Sequence, residues 1–321
     1  MAFVPRDGRS LIGRATATGG QKDSAEAMPA QAIPLGWREE TCTSAPHSPV
    51  AEVHGRGVLA IHELRWKVSS QVELSQPEGS PLLGYASRLL SRTDVAQDTV
   101  AFRFEKPGNF LFRAGQSIDL TLLGVRPDGS DCLTHTFSIA SSPFVEEILI
   151  VTRIRDSAFK RVLSILPLGT HVNLSGPMGS FSLHRNTSKP AIFLAGGIGI
   201  APFLSMLCSA AVDKTRHDIF LFYANRYLED AAFMDALWDL ESSNTNFRFV
   251  PTFTRIDGTS RGWQGEIGHI RPEMLSKHVS NLRGPIFYIA GPPTMVAATR
   301  RMLVDAGVDE DDIRTEEFAG Y

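Results

Sequence analysis

The chain has 321 residues, of which 43% are hydrophobic and 21% are charged, and its formal net charge is −3. This length suits two domains with residues to spare, and the composition is that of an ordinary soluble globular protein. The near-neutral charge gives no overall reason to bind nucleic acid or an anionic membrane surface. Three dispersed cysteines, Cys42, Cys132 and Cys208, cannot build a disulfide framework, a zinc site or a cysteine-ligated iron–sulfur cluster. We therefore expect no metal and a cytoplasmic protein.

Residues 1–82 differ in composition from the rest of the chain. Glycine, serine, alanine, threonine and proline dominate as far as Val50, and no helical or alternating hydrophobic period is sustained. Such a segment buries little apolar surface, so we predict a low-complexity, disordered N-terminal extension. Its early arginines allow an organelle-targeting interpretation, which the acidic residues that soon follow weaken. Residues 57–73 are predicted to form one helix or strand that packs on the body.

Residues 191–212 carry no charge and are long enough to span a bilayer. Three glycines and a proline interrupt the first half of this stretch. A buried strand, a glycine turn and a helix explain the pattern better than one membrane helix. We expect no membrane span.

Short strands with alternating hydrophobic residues begin near Gly84. The predicted strands are residues 99–105, 117–122, 133–139, 147–153, 171–174 and 180–183. Glycine, proline and aspartate fall between these runs. Several short alternating strands separated by turn residues indicate an antiparallel barrel or sandwich.

After Pro190 the pattern changes to uniformly apolar runs separated by candidate helices. The runs are residues 191–195, 219–224, 247–252 and 285–290, and the helices are residues 202–212, 230–241 and 293–306. Fully apolar strands that alternate with helices predict a doubly wound parallel sheet covered on both faces.

Two glycine turns follow apolar strands in this second region. The first, LAGGIGIAP, places Gly196, Gly197 and Gly199 between a strand and a helix that opens with Ala201 and Pro202. Glycines there let backbone amides approach a phosphate, and the helix N-terminus adds donors and a partial positive charge. The pattern is not the GxGxxG of ordinary dinucleotide folds, and a tight turn without a ligand remains open for this motif alone.

The second turn is YIAGPPTM, and its candidate binding residues are Gly291, Pro292, Pro293 and Met295. Ligands of doubly wound sheets bind beyond the carboxyl ends of the strands. Both turns would project from that edge, so one nicotinamide nucleotide could contact both.

These motifs carry a resemblance to a known family. In order along the chain, HTFSIASSP, GGIGIAP, YANR, AGPPTM and the terminal EEFAGY resemble the ferredoxin–NADP reductase family. The resemblance covers about residues 84–321. It implies an antiparallel Greek-key flavin-binding β-barrel over residues 84–187, followed by a NAD(P)-binding α/β domain over residues 188–321.

The resemblance also assigns residues to the flavin. Phe137 would pack on the isoalloxazine or ribityl region, and the Ser138 hydroxyl would lie near the reactive nitrogen. Arginine fits phosphate as a charged fork, so Arg153 suits the flavin phosphates, although a solvated charge at a strand end is the alternative. The full set of implied flavin-binding residues is His135, Thr136, Phe137, Ser138, Thr152, Arg153 and Ser157.

Three residues depart from the family pattern. His135 replaces the usual arginine, which makes the charge on the flavin phosphates weaker or pH-dependent. Phe137 replaces tyrosine, so the stacking face is kept and a hydroxyl bond is lost. Ala290 stands where the plant-type branch has a cysteine, which points to the bacterial-type branch.

The C-terminus and the second strand of the α/β region complete the implied site. Family members often end in an aromatic that stacks on the flavin, for which Phe318 and Tyr321 are candidates, with Glu316 or Glu317 as the nearby carboxylate. A frayed tail is the alternative. Asn225 and Arg226 follow an apolar strand, and Arg226 could contact an adenosine 2′-phosphate. We interpret the other histidines, His184, His217, His269 and His278, as surface or loop residues without metal spacing.

The predicted function is a flavin-dependent NAD(P)H oxidoreductase that holds FAD in preference to FMN and uses NADPH or NADH. Its catalytic residues would be Ser138, Glu316, Phe318 and Tyr321. A separate acceptor is expected, namely an iron–sulfur protein, a haem protein, a quinone or a small oxidant, and the protein is expected to be monomeric. One alternative is a flavin- or nucleotide-binding subunit without its own turnover. A flavin-free dehydrogenase is disfavoured, because the β region would then have no task.

Overall fold

A computed structural model of the chain describes residues 84–123, 132–256 and 262–318. The predicted N-terminal extension and the predicted element over residues 57–73 lie outside the described residues, as does Tyr321. In the described part, no helix is long and apolar enough to cross a membrane.

A barrel-like antiparallel sheet of six strands forms the first half of the described chain. Its strands are β1 (Tyr85–Ala96), β2 (Thr99–Glu105), β3 (Ser117–Leu123), β4 (Cys132–Ser138), β5 (Glu147–Arg153) and β6 (His171–Met178), in the spatial order β4-β3-β6-β1-β2-β5. Apolar side chains from the inner face of the sheet form one buried cluster. Helix α1 (Ala158–Ile165) contributes Phe159 and Leu163 to this cluster.

A parallel sheet of six strands forms the second half. Its strands are β7 (Ala191–Gly196), β8 (Ile219–Asn225), β9 (Phe247–Phe253), β10 (Glu266–Ile267), β11 (Ile286–Gly291) and β12 (Ile313–Glu317), in the spatial order β10-β9-β8-β7-β11-β12. The helices are α2 (Ile200–Asp213), α3 (Met234–Ser243), α4 (Pro272–His278) and α5 (Pro293–Asp305). Every residue of β7 and β11 is buried, because helices cover both faces. The predicted fold class, antiparallel barrel and then doubly wound sheet, is confirmed.

Two predicted elements are wrong in detail. Residues 180–183 form no strand, because Gly179 has φ 88° and turns the chain out of the sheet after β6. The helix predicted over residues 230–241 begins only at Met234, since Phe233 adopts a left-handed φ of 62° that interrupts the helical path. The division between residues 187 and 188 stays a prediction.

The two sheets share one hydrophobic cluster. Leu149 and Val151 of β5 belong to the same buried cluster as Phe203 of α2 and Tyr288 of β11. Nearby, the buried Ser205 hydroxyl of α2 donates to the Ser141 carbonyl at 2.6 Å. The carboxyl edge of the parallel sheet is therefore held in a fixed position against strands of the barrel.

Candidate active site

The two glycine turns lie against each other at the carboxyl edge of the parallel sheet. Strands β7 and β11 are neighbours, with Ala195 opposite Ala290. A Cβ on Gly199 would collide with the Ala290 carbonyl and lie 2.8 Å from the Gly291 Cα, while a Cβ on Gly196 would collide with Met295. Gly199 is therefore required for the backbones of the two turns to meet, which brings both predicted coenzyme turns to one place.

The first turn leads directly into α2. Gly197 has φ 53°, a left-handed value that favours glycine, and α2 begins at Ile200. Ala201 and Pro202 are buried in the first helical turn. The second turn leads into α5 in the same way, with Pro292 as the N-cap and Pro293 as the first helical residue. Each turn thus presents a helix N-terminus at the shared edge.

A hydrogen bond joins the end of strand β4 to the edge of the parallel sheet. The buried Ser138 hydroxyl donates to Glu316 Oε1 at 3.1 Å. Glu316 lies on β12 opposite Ala290, so the carboxylate is one strand away from the glycine turns. The sequence separates Ser138 from Glu316 widely, and the fold brings these two predicted catalytic residues together.

The Glu316 carboxyl is held in an environment that favours its neutral form. Burial raises its pKa to about 7, against a smaller lowering by the Ser138 hydrogen bond. Its Oε2 atom is buried and has no hydrogen-bond partner among the described residues. A carboxyl poised near neutral pH beside an unfilled hydrogen-bonding position is typical of a functional site.

The chain that follows Glu316 stays at the same edge. The Phe318 amide donates to the Gly291 carbonyl at 3.0 Å, and the Phe318 side chain packs on the shared hydrophobic cluster. This contact places Phe318, one of the two predicted aromatic residues, beside the second glycine turn. Tyr321, the other candidate, lies outside them.

Strand β4 presents different chemistry on its two faces. His135 and Phe137 lie on the face that α1 covers, where both rings contact Phe159 at centroid distances of 5.5 and 5.6 Å. The Thr136 hydroxyl points to the opposite, exposed face and donates to Asp119 Oδ1 at 2.5 Å. His135 and Phe137 therefore present aromatic rings on one face of β4, and Thr136 presents its hydroxyl on the other.

The surroundings of His135 reveal a cation that the motifs did not indicate. Burial, and then the positive charge of Lys160, lower the pKa of His135, while Asp119 opposes them. Lys160 lies in the first turn of α1 and is itself buried, and burial and the charge of Arg155 lower its pKa. The neutral imidazole thus stands beside a lysine, so positive charge at this end of the barrel comes from α1 rather than from β4.

Ser157 and Thr152 lie at and before the N-terminus of this helix. Ser157 is the N-cap of α1, and its hydroxyl accepts a hydrogen bond from the Lys160 amide at 3.2 Å. The first turn of α1 contains no acidic residue, so its amides and dipole remain favourable for an anion. Thr152 is buried at the end of β5.

Arg153 is paired within the protein. One of its guanidinium nitrogens donates to Asp230 Oδ1, and the two side chains are only 18% and 8% exposed. Its Nε is buried without an acceptor among the described residues. The alternative of a solvated surface charge therefore does not describe Arg153.

Arg226 has neighbours at the coenzyme edge that the sequence motifs did not single out. The Arg255 amide donates to the Arg226 carbonyl at 2.8 Å, and the Arg255 guanidinium lies 6.0 Å from the Tyr227 ring centroid. Asn225, just before them, is buried, and its Nδ2 has no partner within the described ranges. Two arginines and an aromatic ring thus lie where β8 and β9 end.

Of the four histidines interpreted as surface or loop residues, two are loop residues that the fold buries. His184 and His217 lie outside regular elements but are buried, with ring centroids 4.8 Å apart. His184 Nε2 contacts the Lys189 carbonyl at 2.9 Å and its Nδ1 contacts the Tyr288 hydroxyl at 3.0 Å. Burial of this polar network lowers the pKa of His184. No group of metal-ligating side chains occurs in the described part of the chain.

The residues present fit a flavin and a nicotinamide nucleotide. The flavin side offers two aromatic rings, a buried hydroxyl, an unpartnered carboxyl oxygen and a helix N-terminus with a nearby lysine. The nucleotide side offers two adjacent glycine turns, each of which leads into a helix N-terminus. This fold and site fit the class of two-sheet proteins that hold a flavin beside a nicotinamide coenzyme.

Comparisons with known proteins agree with this class. The family model of the oxidoreductase NAD-binding domain matches residues 193–301. The chain is 26% identical over 238 residues to the phenol hydroxylase P5 protein of Acinetobacter pittii, covering 73% of this chain and 65% of that protein. It is 25% identical over 246 residues to the reductase component of propane 2-monooxygenase from Mycolicibacterium goodii, covering 75% of this chain and 69% of that protein. The chain thus spans about two thirds of the length of these relatives.

Solved structures show the same fold. A ferredoxin NADP⁺ reductase from Neisseria gonorrhoeae with bound FAD and NADP superimposes with a TM-score of 0.63 at 23% identity, over 74% of this chain and 99% of that one. The cytochrome b5 reductase domain of Ulva prolifera nitrate reductase gives a TM-score of 0.65 at 20% identity, over 75% of this chain and all of that one. These two structures show that the chain shares the two-sheet fold of the reductases to which it is similar.

Proposed function

We propose that the protein is a flavin-dependent NAD(P)H oxidoreductase that passes electrons from the nicotinamide coenzyme, through FAD, to a separate acceptor. The observation that carries this proposal is the Ser138–Glu316 hydrogen bond, because it joins the predicted flavin strand to the edge that holds both glycine turns. The flavin, when bound, supplies hydride acceptance and onward electron transfer. The protein supplies binding, orientation and a polarised environment.

Each part of the chain has a defined task in this proposal. His135 and Phe137 offer ring surface to the flavin, and the N-terminus of α1 with Ser157 and Lys160 favours its phosphates. The turns at Gly196–Pro202 and Gly291–Met295 bind the coenzyme through backbone amides. Ser138 offers a hydroxyl at the meeting point, and Glu316 can hold or release a proton near neutral pH.

Two candidates are proposed for the coenzyme and two for the electron acceptor. Arg226, Arg255 and Tyr227 would suit an adenosine 2′-phosphate and its base, which supports use of NADPH, and NADH remains the other candidate. The relatives named as hydroxylase or monooxygenase components support a separate protein as the acceptor, with a small oxidant as the other candidate. A cytoplasmic location rests on the dispersed cysteines alone.

The first test is the visible spectrum of the purified protein, followed by denaturation and identification of the released flavin. We expect a yellow protein that releases FAD. A colourless, correctly folded preparation that releases no flavin would overturn the proposal. The alternative, a subunit that binds flavin but has no turnover, predicts the same colour, and only the response to coenzyme separates the two.

A further inference from the structure

An ion pair connects the barrel to the loop at the coenzyme edge. Arg153 is the last residue of β5, and Asp230 lies in the loop of residues 226–233 that joins β8 to α3. The pair is largely buried, with side chains 18% and 8% exposed. Removing one partner of a buried pair leaves the other charge uncompensated, so a pair of this kind fixes the two elements that carry it.

A backbone contact beside the pair reinforces the same connection. The Gln97 amide, in the turn between β1 and β2, donates to the Glu229 carbonyl at 2.8 Å. Asp98 in that turn has a left-handed φ of 53°, and its carbonyl accepts a hydrogen bond from the Ile154 amide at 2.7 Å. The turn is thus anchored on the residue after Arg153, and barrel and loop meet at two adjacent points.

The loop is also ordered internally around Asp230. The Tyr227 amide donates to Asp230 Oδ2 at 3.3 Å, so one carboxylate serves both the loop and Arg153. At the end of the loop, the Ala232 amide donates to the buried Tyr223 hydroxyl at 3.1 Å. Tyr227 follows Arg226 directly. An interaction that holds Asp230 in position therefore also holds the proposed adenosine-binding residues in position.

We propose that Arg153 and Asp230 form a clamp by which the barrel positions the loop of residues 226–233 for coenzyme binding. Arg153 is then a positioning residue for the coenzyme, acting through Asp230. This inference rests on the proposed function. It differs from the sequence-based prediction that Arg153 contacts the flavin phosphates, for which the buried Nε remains available. A variant of Asp230 distinguishes the clamp role of Arg153 from a role in binding the flavin phosphates. A carboxylate has no affinity for a phosphate, so loss of Asp230 should affect only the clamp.

The test uses the flavin-loaded, full-length protein with Asp230→Asn, Arg153→Met and the double variant. For each single variant we expect the KM for the coenzyme to rise about tenfold, the reduction rate at saturation to stay within about twofold, and flavin to be retained. Oxidised coenzyme, titrated by calorimetry, should bind about tenfold more weakly. The double variant should be no worse than either single one, since the partners act as a unit.

Two further variants serve as control and rescue. Arg103→Met removes another arginine–carboxylate pair of the barrel, in which Arg103 contacts Glu147 at 2.9 Å, and both residues lie within the antiparallel sheet. Its coenzyme KM should equal that of the wild type. Arg153→Lys keeps the charge and should restore part of the lost affinity, which also covers the case in which Arg153→Met fails to fold.

Several outcomes would overturn the clamp. An unchanged KM and unchanged coenzyme binding in Asp230→Asn would do so, as would an equal rise in KM in Arg103→Met. Loss of flavin in Arg153→Met with a normal Asp230→Asn would assign Arg153 to the flavin instead. Failure of the proposed function is distinguishable, because wild-type protein would then hold no flavin or leave it oxidised in the presence of coenzyme.

Discussion

The edge of the parallel sheet and strand β4 of the barrel contribute to the proposed site by different means. The glycine turns offer backbone, and a Cβ at Gly199 would collide with backbone atoms of the facing turn. Strand β4 offers side chains, with rings on one face and hydroxyls on the other. A site built from backbone atoms requires the two turns to approach closely, so an added side chain disrupts it. The properties of a site built from side chains depend on which groups face the ligand. Substitutions in the two regions should therefore fail in different ways.

The largest effect is expected from Gly199→Val. The added side chain would collide with the Ala290 carbonyl and lie within 2.8 Å of the Gly291 Cα, so the two turns must separate. Coenzyme-dependent reduction of the flavin should fall by about a hundredfold or more, with flavin still bound and a lower Tm. Gly108→Val is the matched control, because no heavy atom of the described residues lies within 4 Å of its Cβ position. Normal reduction kinetics in Gly199→Val would remove the coenzyme turn assignment.

A smaller but still large effect is expected from Ser138→Ala. The substitution removes the hydroxyl that reaches Glu316, and we expect the rate of flavin reduction to fall about tenfold to a hundredfold with flavin content unchanged. Ser142→Ala is the control in the same stretch, since the Ser142 hydroxyl only accepts a weak bond from the Phe144 amide at 3.4 Å. Equal rates in Ser138→Ala and wild type, measured by rapid mixing without air, would exclude a role for Ser138 in hydride transfer.

An intermediate effect concerns the choice of coenzyme. Arg226→Ala and Arg255→Ala remove the adjacent cations at the ends of β8 and β9. Each should raise the KM for NADPH about tenfold and the KM for NADH by much less, because only NADPH carries the 2′-phosphate. Arg248→Ala, which loses an exposed contact with Glu241 at 3.1 Å, should change neither value. Equal effects on both coenzymes would place the 2′-phosphate elsewhere.

The last prediction is a pH-dependent change in stability in Glu316→Gln. Because burial raises the pKa of Glu316 to about 7 from 4.5, its stabilisation of the fold is complete below pH 4.5 and is lost as the pH rises through 7. Above pH 7 the glutamine variant should be the more stable protein, by at most about 3 kcal/mol.

The comparison of Tm values at pH 5 and pH 8 tests this, with the exposed neighbour Glu317→Gln as control. The Glu316→Gln difference should be small at pH 5 and positive at pH 8. A difference that does not change with pH would show that the carboxyl is not held neutral by burial.

The sequence predicted those features that depend on the backbone. Uniformly apolar β7 and β11 and the glycine turns were recognisable, because only buried parallel strands and close backbone contacts require such residues. Strand β1 was not predicted, since its exposed residues alternate with only a few buried ones in the series YASRLLSRTDVA. Helix α1 was missed because it has only eight residues and follows a strand directly.

The directions and the partners of side chains could not be predicted from the sequence in the same way. A strand shows that Thr136 and Phe137 face opposite sides, but not which side holds the ligand. The pairing of Arg153 with Asp230, and of Ser138 with Glu316, joins residues far apart in the chain. The burial of His184 depends on Tyr288, which belongs to a strand formed much later in the sequence. Such contacts exist only once the two sheets have packed together.

The most direct test of the proposed function is anaerobic rapid mixing of the flavin-loaded protein with NADPH and, separately, with NADH. We predict that the visible flavin absorbance bleaches in a single turnover with at least one coenzyme, and that Gly199→Val abolishes this bleaching while Gly108→Val does not. A flavin that stays oxidised with both coenzymes, in a correctly folded protein that binds them, would contradict the proposed function and leave a binding subunit without turnover.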